Sequence, residues 1–403
     1  MIVDILRKRN LELQEDVETL LTLVKDARVP LELESYQMLV VGLCEYAKES
    51  ISKNLRNIDL NRDDILEDIF SDVQQTIILV KLISDRFSVP IIRAMPSDRL
   101  CLSILSWVHG AHAKTKDFPP AINDGSVSVL PVYPQVYMFP QLEKRSLLYQ
   151  PLLFHEFGHV LYACHKQELD SLVKDLQGDV TEIILPRSQR NDRHSEIQAT
   201  RRQTIADTWY GWIQELFCDA VGFRISGPSF LHAFSVYLGV VNRNHFYRAP
   251  KDLALSEHPV TWLRVHFLAD LARNENQDKI AHNIESEWSI FAEAMGIQED
   301  YHGYYDKSLT KVVKNTIADM LTETDPKKCT KDEMAGGGWE IGESPIRLLN
   351  WAWQMKLQKK LSFKDWEKSQ IDRYLKLSTF RIKLDEYDRS FSLVDSMWKS
   401  NQQ

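Results

Sequence analysis

The feature that most constrains the fold is a short apolar segment carrying three ionisable side chains. The segment LLFHEFGHVLYA, residues 152–163, contains His155, Glu156 and His159. Its apolar residues on both flanks predict a buried helix. Ionisable groups are costly to bury unless a partner or a metal ion satisfies them. We therefore expect the chain to build a metal site around this helix.

The two histidines are four residues apart, in the pattern HExxH. On a helix, positions i and i+4 lie about 40° apart around the axis and one turn apart along it, so both imidazoles leave the same face. Two ring nitrogens can then bind one zinc ion at about 2.0–2.1 Å. We predict His155 and His159 as zinc ligands. Glu156 lies beside the first ligand and suits a general base that acts on water.

A catalytic zinc site needs a third protein ligand and an open position. The apolar segment WIQELFCDAVG carries Glu215, with Asp219 four residues later on the same helical face. Because the surrounding residues are apolar, a solvated helix face does not explain these carboxylates. We predict that Glu215 completes a His₂Glu site. Asp219 is then placed to accept the free ring N–H of a zinc-bound histidine, which fixes its tautomer.

A different third ligand is also compatible with the spacing. His165 lies six residues after His159, as in the HExxHxxGxxH motif of the metzincin group, in which the chain turns at a glycine. Tyr162 stands at the glycine position, and tyrosine is a poor residue for a positive φ. If the helix continues, His165 points about 120° away from His159. We therefore expect His165 on the polar surface, and a metzincin-like site is the alternative.

Together these residues resemble the gluzincin zinc metallopeptidases, in which HExxH is followed on a second helix by a ligand glutamate and then an aspartate. The segment SEHPVTWLRVHFL adds His258, Pro259 and Arg264. It resembles the HP-x4-R element of the prenyl-protein (CAAX) metalloproteases and their bacterial heat-shock relatives. The resemblance covers about 147–269. It implies that His258 helps to stabilise the oxyanion during hydrolysis and that Arg264 braces the helix of the metal ligands.

We expect an α+β fold that is predominantly α-helical, with a zincin-like core between helical N- and C-terminal regions. Helical periodicity fills 1–93, the metallopeptidase core is expected at 94–275, and helices resume in 276–403. In contrast to the membrane proteases that it resembles, the chain has no apolar stretch of the roughly 18 residues that a membrane span needs. A membrane-bound prenylated substrate is therefore not expected.

A small antiparallel or mixed sheet is expected next to the HExxH helix. Six prolines interrupt 94–150 around the β-favouring runs VSVLPVY and QVYMF. Proline inside these runs favours an edge strand over a central strand. Such an edge, within 127–138, is a candidate surface for an extended substrate.

The segment 178–202, between the two predicted ligand helices, is polar and rich in arginine. This composition predicts an exposed connection. A lid or autoinhibitory loop over the cleft is one interpretation, and a plain exposed loop is the other.

Charge and cysteine content exclude several classes of protein. The formal net charge of −8 gives no overall attraction to nucleic acid or anionic membranes, and acids alternate with the basic clusters. Nucleic acid and membrane partners are therefore not expected. Five cysteines without a CxxC pair predict free thiols rather than a disulfide framework or a cysteine zinc site. We expect a cytoplasmic protein.

The leading functional prediction is a zinc-dependent metallopeptidase that hydrolyses a peptide or protein substrate. The alternative is a zinc-stabilised sensor or interaction protein whose helical flanks bind a regulatory protein partner. Glu156 favours the enzyme, because a structural zinc site has no use for a base and is usually closed by four protein ligands.

Overall fold

The computed structural model describes residues 2–60, 65–130, 133–184, 195–239, 241–254, 256–297, 301–340, 343–358 and 362–377. Most of them lie in helices, and a small sheet completes an α+β fold, so the predicted fold class is confirmed. The chain divides into two compact units, with described residues up to Arg145 in the first and Ser146–Leu377 in the second. This boundary falls inside the predicted core of 94–275, and the division into three regions stays a prediction.

The first unit begins with long amphipathic helices. Their bounds are α1 Ile2–Asp26, α2 Glu34–Asp59, α3 Leu66–Leu82, α4 Val89–Ile92 and α5 Asp98–Gly110. Helices α1, α2 and α3 contact one another through apolar residues spaced three and four apart. One such cluster contains Leu6, Ile58, Ile69 and Val73. The helical character predicted for the N-terminal part of the chain follows from this packing.

The sheet of the first unit consists of β1 Ala121–Asp124, β2 Ser128–Leu130 and β3 Val136–Phe139. Strand β3 pairs parallel to β1 and antiparallel to β2, with Tyr137 opposite Ile122 on one side and Val129 on the other. The run QVYMF therefore supplies the central strand, and the expectation of an edge strand there is wrong.

The prolines explain the error. Pro134 and Pro140 flank β3 rather than interrupt it, so they remove no N–H group from its ladders. Strand β2, within the predicted 127–138, is an edge of the sheet. The placement of this sheet next to the HExxH helix, and its use by a substrate, stay predictions.

The regular secondary structure described in the second unit is helical. The bounds of its α-helices are α6 Leu152–Cys164, α7 Lys166–Ile184, α8 Ser195–Ser226, α9 Pro228–Tyr237, α10 Pro250–Ala254, α11 Thr261–Asn274, α12 Asp278–Ala294, α13 Thr310–Thr324, α14 Lys331–Ala335, α15 Pro345–Leu357 and α16 Phe363–Leu377. HExxH lies on α6, and both predicted carboxylates lie on α8. In the described part of the chain, no helix is both long enough and apolar enough to cross a bilayer.

The segment 178–202 is largely helical where the structure describes it, which corrects the prediction of an exposed connection. Residues 178–184 end α7 and residues 195–202 begin α8. Helix α7 buries one narrow face through Leu169, Val173, Leu176 and Val180, so its polar residues belong to a solvated helix face. Residues 185–194, which bear on the question of a lid, lie outside the described residues.

Candidate metal centre

The close approach of α6 and α8 brings the ligand residues together. A Cβ atom on Gly158 would lie 2.8 Å from the Cα of Cys218, a distance that real side chains do not adopt. The glycine of HEFGH therefore lets the two helix backbones approach where a larger residue would separate them. As a result, the face of α6 that carries the histidines packs against the α8 residues around Glu215.

His155, His159 and Glu215 meet at this contact. Nε2 of His155 lies 3.4 Å from Oε2 of Glu215, and Nε2 of His159 lies 3.4 Å from Oε1. One ligand atom of each residue lies within 4.8 Å of the other two. Ligands bound tetrahedrally to zinc at about 2.0–2.1 Å are separated by about 3.3 Å. The two nitrogen–oxygen distances, one to each oxygen of Glu215, are close to this separation, and the cluster is of a size that could hold a metal ion.

The carboxylate of Glu215 supplies an independent test of that fit. Its Oε2 atom is buried and has no hydrogen-bond partner among the described residues. The nearest donors, His155 Nε2 and Arg264 Nη2, lie 3.4 and 3.3 Å away without hydrogen-bond geometry. A buried carboxylate oxygen that accepts no hydrogen bond is unfavourable even beside these two positive charges, and a cation between the three residues would satisfy it. The donor set of two imidazoles and a carboxylate is one that zinc accepts.

Asp219 and Arg264 support the cluster from its buried side. Oδ1 of Asp219 lies 2.9 Å from Nδ1 of His155, the ring nitrogen that does not face Glu215. Arg264, on α11, donates two hydrogen bonds of 2.7 Å to Asp219, one from Nε and one from Nη2. This paired contact fixes the carboxylate next to the His155 ring, although Nδ1 itself makes no hydrogen bond of good geometry among the described residues.

Glu156 lies next to the cluster without being a member of it. Its side chain is buried, and this burial raises the pKa of its carboxyl group to about 7, with the positive charge of His155 opposing the shift and Glu215 adding to it. A carboxyl group with a pKa near neutrality can both accept and release a proton at physiological pH.

Without a metal ion, the positive charges of Arg264 and His155 balance the buried carboxylates. Burial acts to lower the pKa of His155, but its contacts with Asp219 and Glu215 outweigh burial and raise this pKa to about 10. Burial and the charge on His155 lower the pKa of His159 to about 4. Burial opposes ionisation of Glu215, yet Arg264 and His155 hold its pKa below the ordinary value. A bound cation would therefore displace a proton from His155.

His258 lies on the accessible side of the cluster, in the connection before α11. Its Nε2 atom is 3.4 Å from Oε1 of Glu215, and its side chain is 53% exposed. The side chain of His159 is also partly exposed, at 26%. Partial burial lowers the pKa of His258 below its ordinary value, with the charge of Glu215 opposing the shift. The cluster is therefore open to solvent on the side of these two imidazoles.

The connection that carries His258 is fastened to α8. A Cβ atom on Gly211 would lie 3.0 Å from the carbonyl oxygen of Glu257, closer than most Cβ contacts, so a larger residue would require this connection to shift by a few tenths of an ångström. The indole Nε1 of Trp212 donates a 3.2 Å hydrogen bond to the carbonyl oxygen of Ser256. One helix thus carries Glu215 and also holds the segment that presents His258.

Arg248 is a further residue of this region that sequence reasoning missed. Its Nη1 atom donates a 3.1 Å hydrogen bond to the carbonyl oxygen of His258 and contacts Oγ of Ser256. The Ser256 hydroxyl also donates to the His258 carbonyl, at 2.6 Å. Arg248 precedes His258 by ten residues and belongs to no motif, so no sequence signal identified it.

His165 is not part of the metal cluster. As expected, α6 continues past Tyr162, to Cys164, and carries His165 away from the metal-ligand face. However, His165 is only 8% exposed, so the expectation of a polar surface position is wrong. Its Nδ1 lies 3.9 Å from Oε1 of Glu323, on α13, a neighbour distant in sequence.

A scan against models of protein families, a search of curated proteins and a search of solved structures each found no match. The gluzincin resemblance therefore depends on the HExxH, ExxxD and HP-x4-R residues of this chain, and the functional assignment depends on the geometry of the metal centre.

Proposed function

We propose that this protein is a zinc-dependent metallopeptidase. The observation that carries the proposal is the convergence of His155, His159 and Glu215 on one point beside Glu156, a buried carboxyl group that is not a ligand. Structural zinc sites are usually closed by four protein ligands. Three ligands with an accessible fourth side, together with an adjacent base, favour catalysis.

Zinc held by these residues would supply Lewis-acid activation of a water molecule and of the substrate carbonyl group. Glu156 accepts a proton from the attacking water and delivers it to the leaving amine. His258 donates a hydrogen bond to the carbonyl oxygen as this atom gains negative charge. Asp219, held by Arg264, keeps the His155 ring oriented toward the metal position.

The order of the motifs supports a peptide bond as the bond that is hydrolysed. HExxH, the α8 glutamate and the His-Pro element follow one another as in the gluzincin peptidases that they resemble. The substrate in this proposal is a peptide or protein. We also propose the cytoplasm as its location, because all five cysteines carry free thiols, as is usual in a reducing compartment.

The test is peptide cleavage by the full-length protein before and after removal of zinc with a chelator. A defined peptide library is the substrate, and mass spectrometry identifies new termini. We expect cleavage by the zinc-loaded protein, loss after chelation and recovery when zinc is restored. His159→Gln should abolish cleavage, whereas His282→Gln, a change at an exposed position of α12, should not. Zinc binding without any cleavage would overturn the proposal in favour of a zinc-stabilised interaction protein.

A further inference from the structure

An arginine beside the metal centre has donors that the protein does not use. Arg248, between α9 and α10, employs Nη1 to hold the carbonyl oxygen of His258 and the hydroxyl of Ser256. Its Nε and Nη2 atoms have no hydrogen-bond partner among the described residues, and no described carboxylate lies within ion-pair distance of it. Asp252 is near enough to act on its pKa, but the two side chains form no ion pair.

The surroundings of Arg248 favour an incoming anion. Its side chain is about half-buried, and burial together with the charge of Arg264 lowers the pKa of its guanidinium group. Arg264 is itself committed to Asp219 through two hydrogen bonds. An unpaired, partly desolvated cation beside a second cation is unfavourable until a negative charge binds. This side of the site is therefore suited to an anionic group of a substrate.

The arrangement of the unused Arg248 donors indicates which kind of anionic group would bind there. Nε and Nη2 form one edge of the guanidinium fork, and this edge matches the two oxygens of a carboxylate. Nη1 contacts the backbone oxygen of His258, whose Nε2 lies 3.4 Å from Glu215. A histidine spans roughly 6–7 Å between these two atoms, so Arg248 lies within about 10 Å of the His258 ring nitrogen. That is about three residues of an extended peptide.

We propose that Arg248 forms a carboxylate-binding subsite, so that the preferred substrates present a free carboxylate within about three residues of the scissile bond. The inference rests on the proposed peptidase function and names its substrate class. The carboxylate belongs either to the C-terminus of the peptide or to an Asp or Glu side chain. Both sources use the same paired hydrogen bonds, and the experiment separates them.

Binding can be measured apart from turnover in the full-length, zinc-loaded Glu156→Gln variant. The probes are fluorescent peptides in matched pairs: free acid against C-terminal amide, and internal Glu against Gln. Charge-assisted hydrogen bonds should make at least one carboxylate peptide bind about 10- to 100-fold more tightly than its neutral partner, as measured by fluorescence anisotropy. Preference within the first pair identifies the C-terminus, and preference within the second identifies a side chain.

Arg248→Gln in the same background should remove the preference, because glutamine keeps a donor for the His258 carbonyl but carries no charge. Arg248→Lys, which keeps the charge without the paired donors, should retain part of it. Arg243→Gln, at an exposed position nearby, should leave it unchanged. Zinc content equal to that of the parent shows that each variant is folded.

Two results would overturn the inference: equal binding within both peptide pairs, or a preference that Arg248→Gln leaves intact. The parallel cleavage assay separates this failure from failure of the proposed function. Cleavage by the wild-type protein with no preference for carboxylate peptides would contradict only the proposed subsite. Peptide binding that depends on Arg248, without any cleavage, would contradict the proposed peptidase function and support the carboxylate subsite.

Discussion

Each of the two units contains a buried cluster of charged side chains, and the clusters differ in how fully their members satisfy one another. In the first unit, the side chain of Lys144 is 2% exposed, and its ammonium group lies 2.9 Å from Asp98 and 2.8 Å from Asp124. The second oxygen of Asp98 accepts the backbone N–H of Met95 at 2.8 Å. The cation of this cluster and its buried carboxylate both have partners within the protein.

In the cluster on α6 and α8 the carboxylates are also paired with positive charges, but one buried carboxylate oxygen lacks a hydrogen bond from the part of the chain that the structure describes. Oε2 of Glu215 has no hydrogen-bond partner among the described residues, and the neighbouring imidazoles of His159 and His258 are partly exposed. Buried charge alone therefore does not indicate function. A buried acceptor without a partner, next to an accessible side, indicates a site at which something binds.

Among these variants, Glu156→Gln should have the largest effect, a loss of activity, and it changes only the cluster on α6 and α8. Loss of the general base should lower kcat by about 10²- to 10⁴-fold, because proton transfer by a positioned group contributes about that much. Zinc content by elemental analysis should be unchanged, because Glu156 is not in the ligand set. The matched change Glu287→Gln lies at an exposed position of α12 and should have no effect. Cleavage at the wild-type rate by Glu156→Gln would disprove the role of this base.

Lys144→Met should have the next largest effect, a loss of stability, and it changes only the Lys144 cluster of the first unit. It leaves Asp98 buried without its cation, which should destabilise the first unit by about 3–5 kcal/mol in urea unfolding. Lys53→Met removes an exposed ion pair of the same unit and should change stability by about 0–1 kcal/mol. In protein that remains folded, zinc content should be normal. A folded Lys144→Met protein that lacks zinc would contradict a purely structural role.

Asp219→Asn tests whether the buried carboxylate next to His155 strengthens metal binding. The amide lacks the negative charge that faces His155 and Arg264, so zinc affinity should fall by about 10- to 100-fold. Competition with a chromophoric chelator measures this affinity. Asp319→Asn, at an exposed position of α13, is the control. Equal affinities for Asp219→Asn and wild type would show that Asp219 does not support the ligand.

Gly158→Ala tests the contact between α6 and α8 that brings His155, His159 and Glu215 together. The added methyl group would meet the Cα of Cys218, so the helices must separate, which should destabilise the second unit by about 1–3 kcal/mol. Gly178→Ala makes the same change in α7, where nothing lies within 4 Å, and should instead stabilise by about 0.5–1 kcal/mol. Thermal unfolding compares the two. Equal shifts would show that the close approach is unimportant.

The arrangement around the ligands was accessible from sequence because it depends on local spacing. Residues four apart share a helix face, so HExxH on α6 and Glu215 with Asp219 on α8 each define a face. The apolar flanks indicated that both faces are buried. The structure brings these five residues together on α6 and α8, and their roles in metal binding and catalysis stay predictions.

Features that depend on contacts distant in sequence were not accessible in this way. The burial of His165 depends on tertiary packing, which includes Glu323 of α13, and the free donors of Arg248 follow from the path of the connection that carries His258. The central position of β3 depends on pairing with both neighbours. Proline counts and helical spacing carry no information about such neighbours.

X-ray absorption at the zinc edge of the purified wild-type protein tests the central claim most directly. We expect one zinc per chain, with imidazole nitrogen and carboxylate oxygen ligands at about 2.0–2.1 Å. Substitution of Glu215 by Ala should remove the protein oxygen ligand and lower the occupancy. A native protein without zinc, or a spectrum dominated by sulfur ligands at about 2.3 Å, would contradict the account.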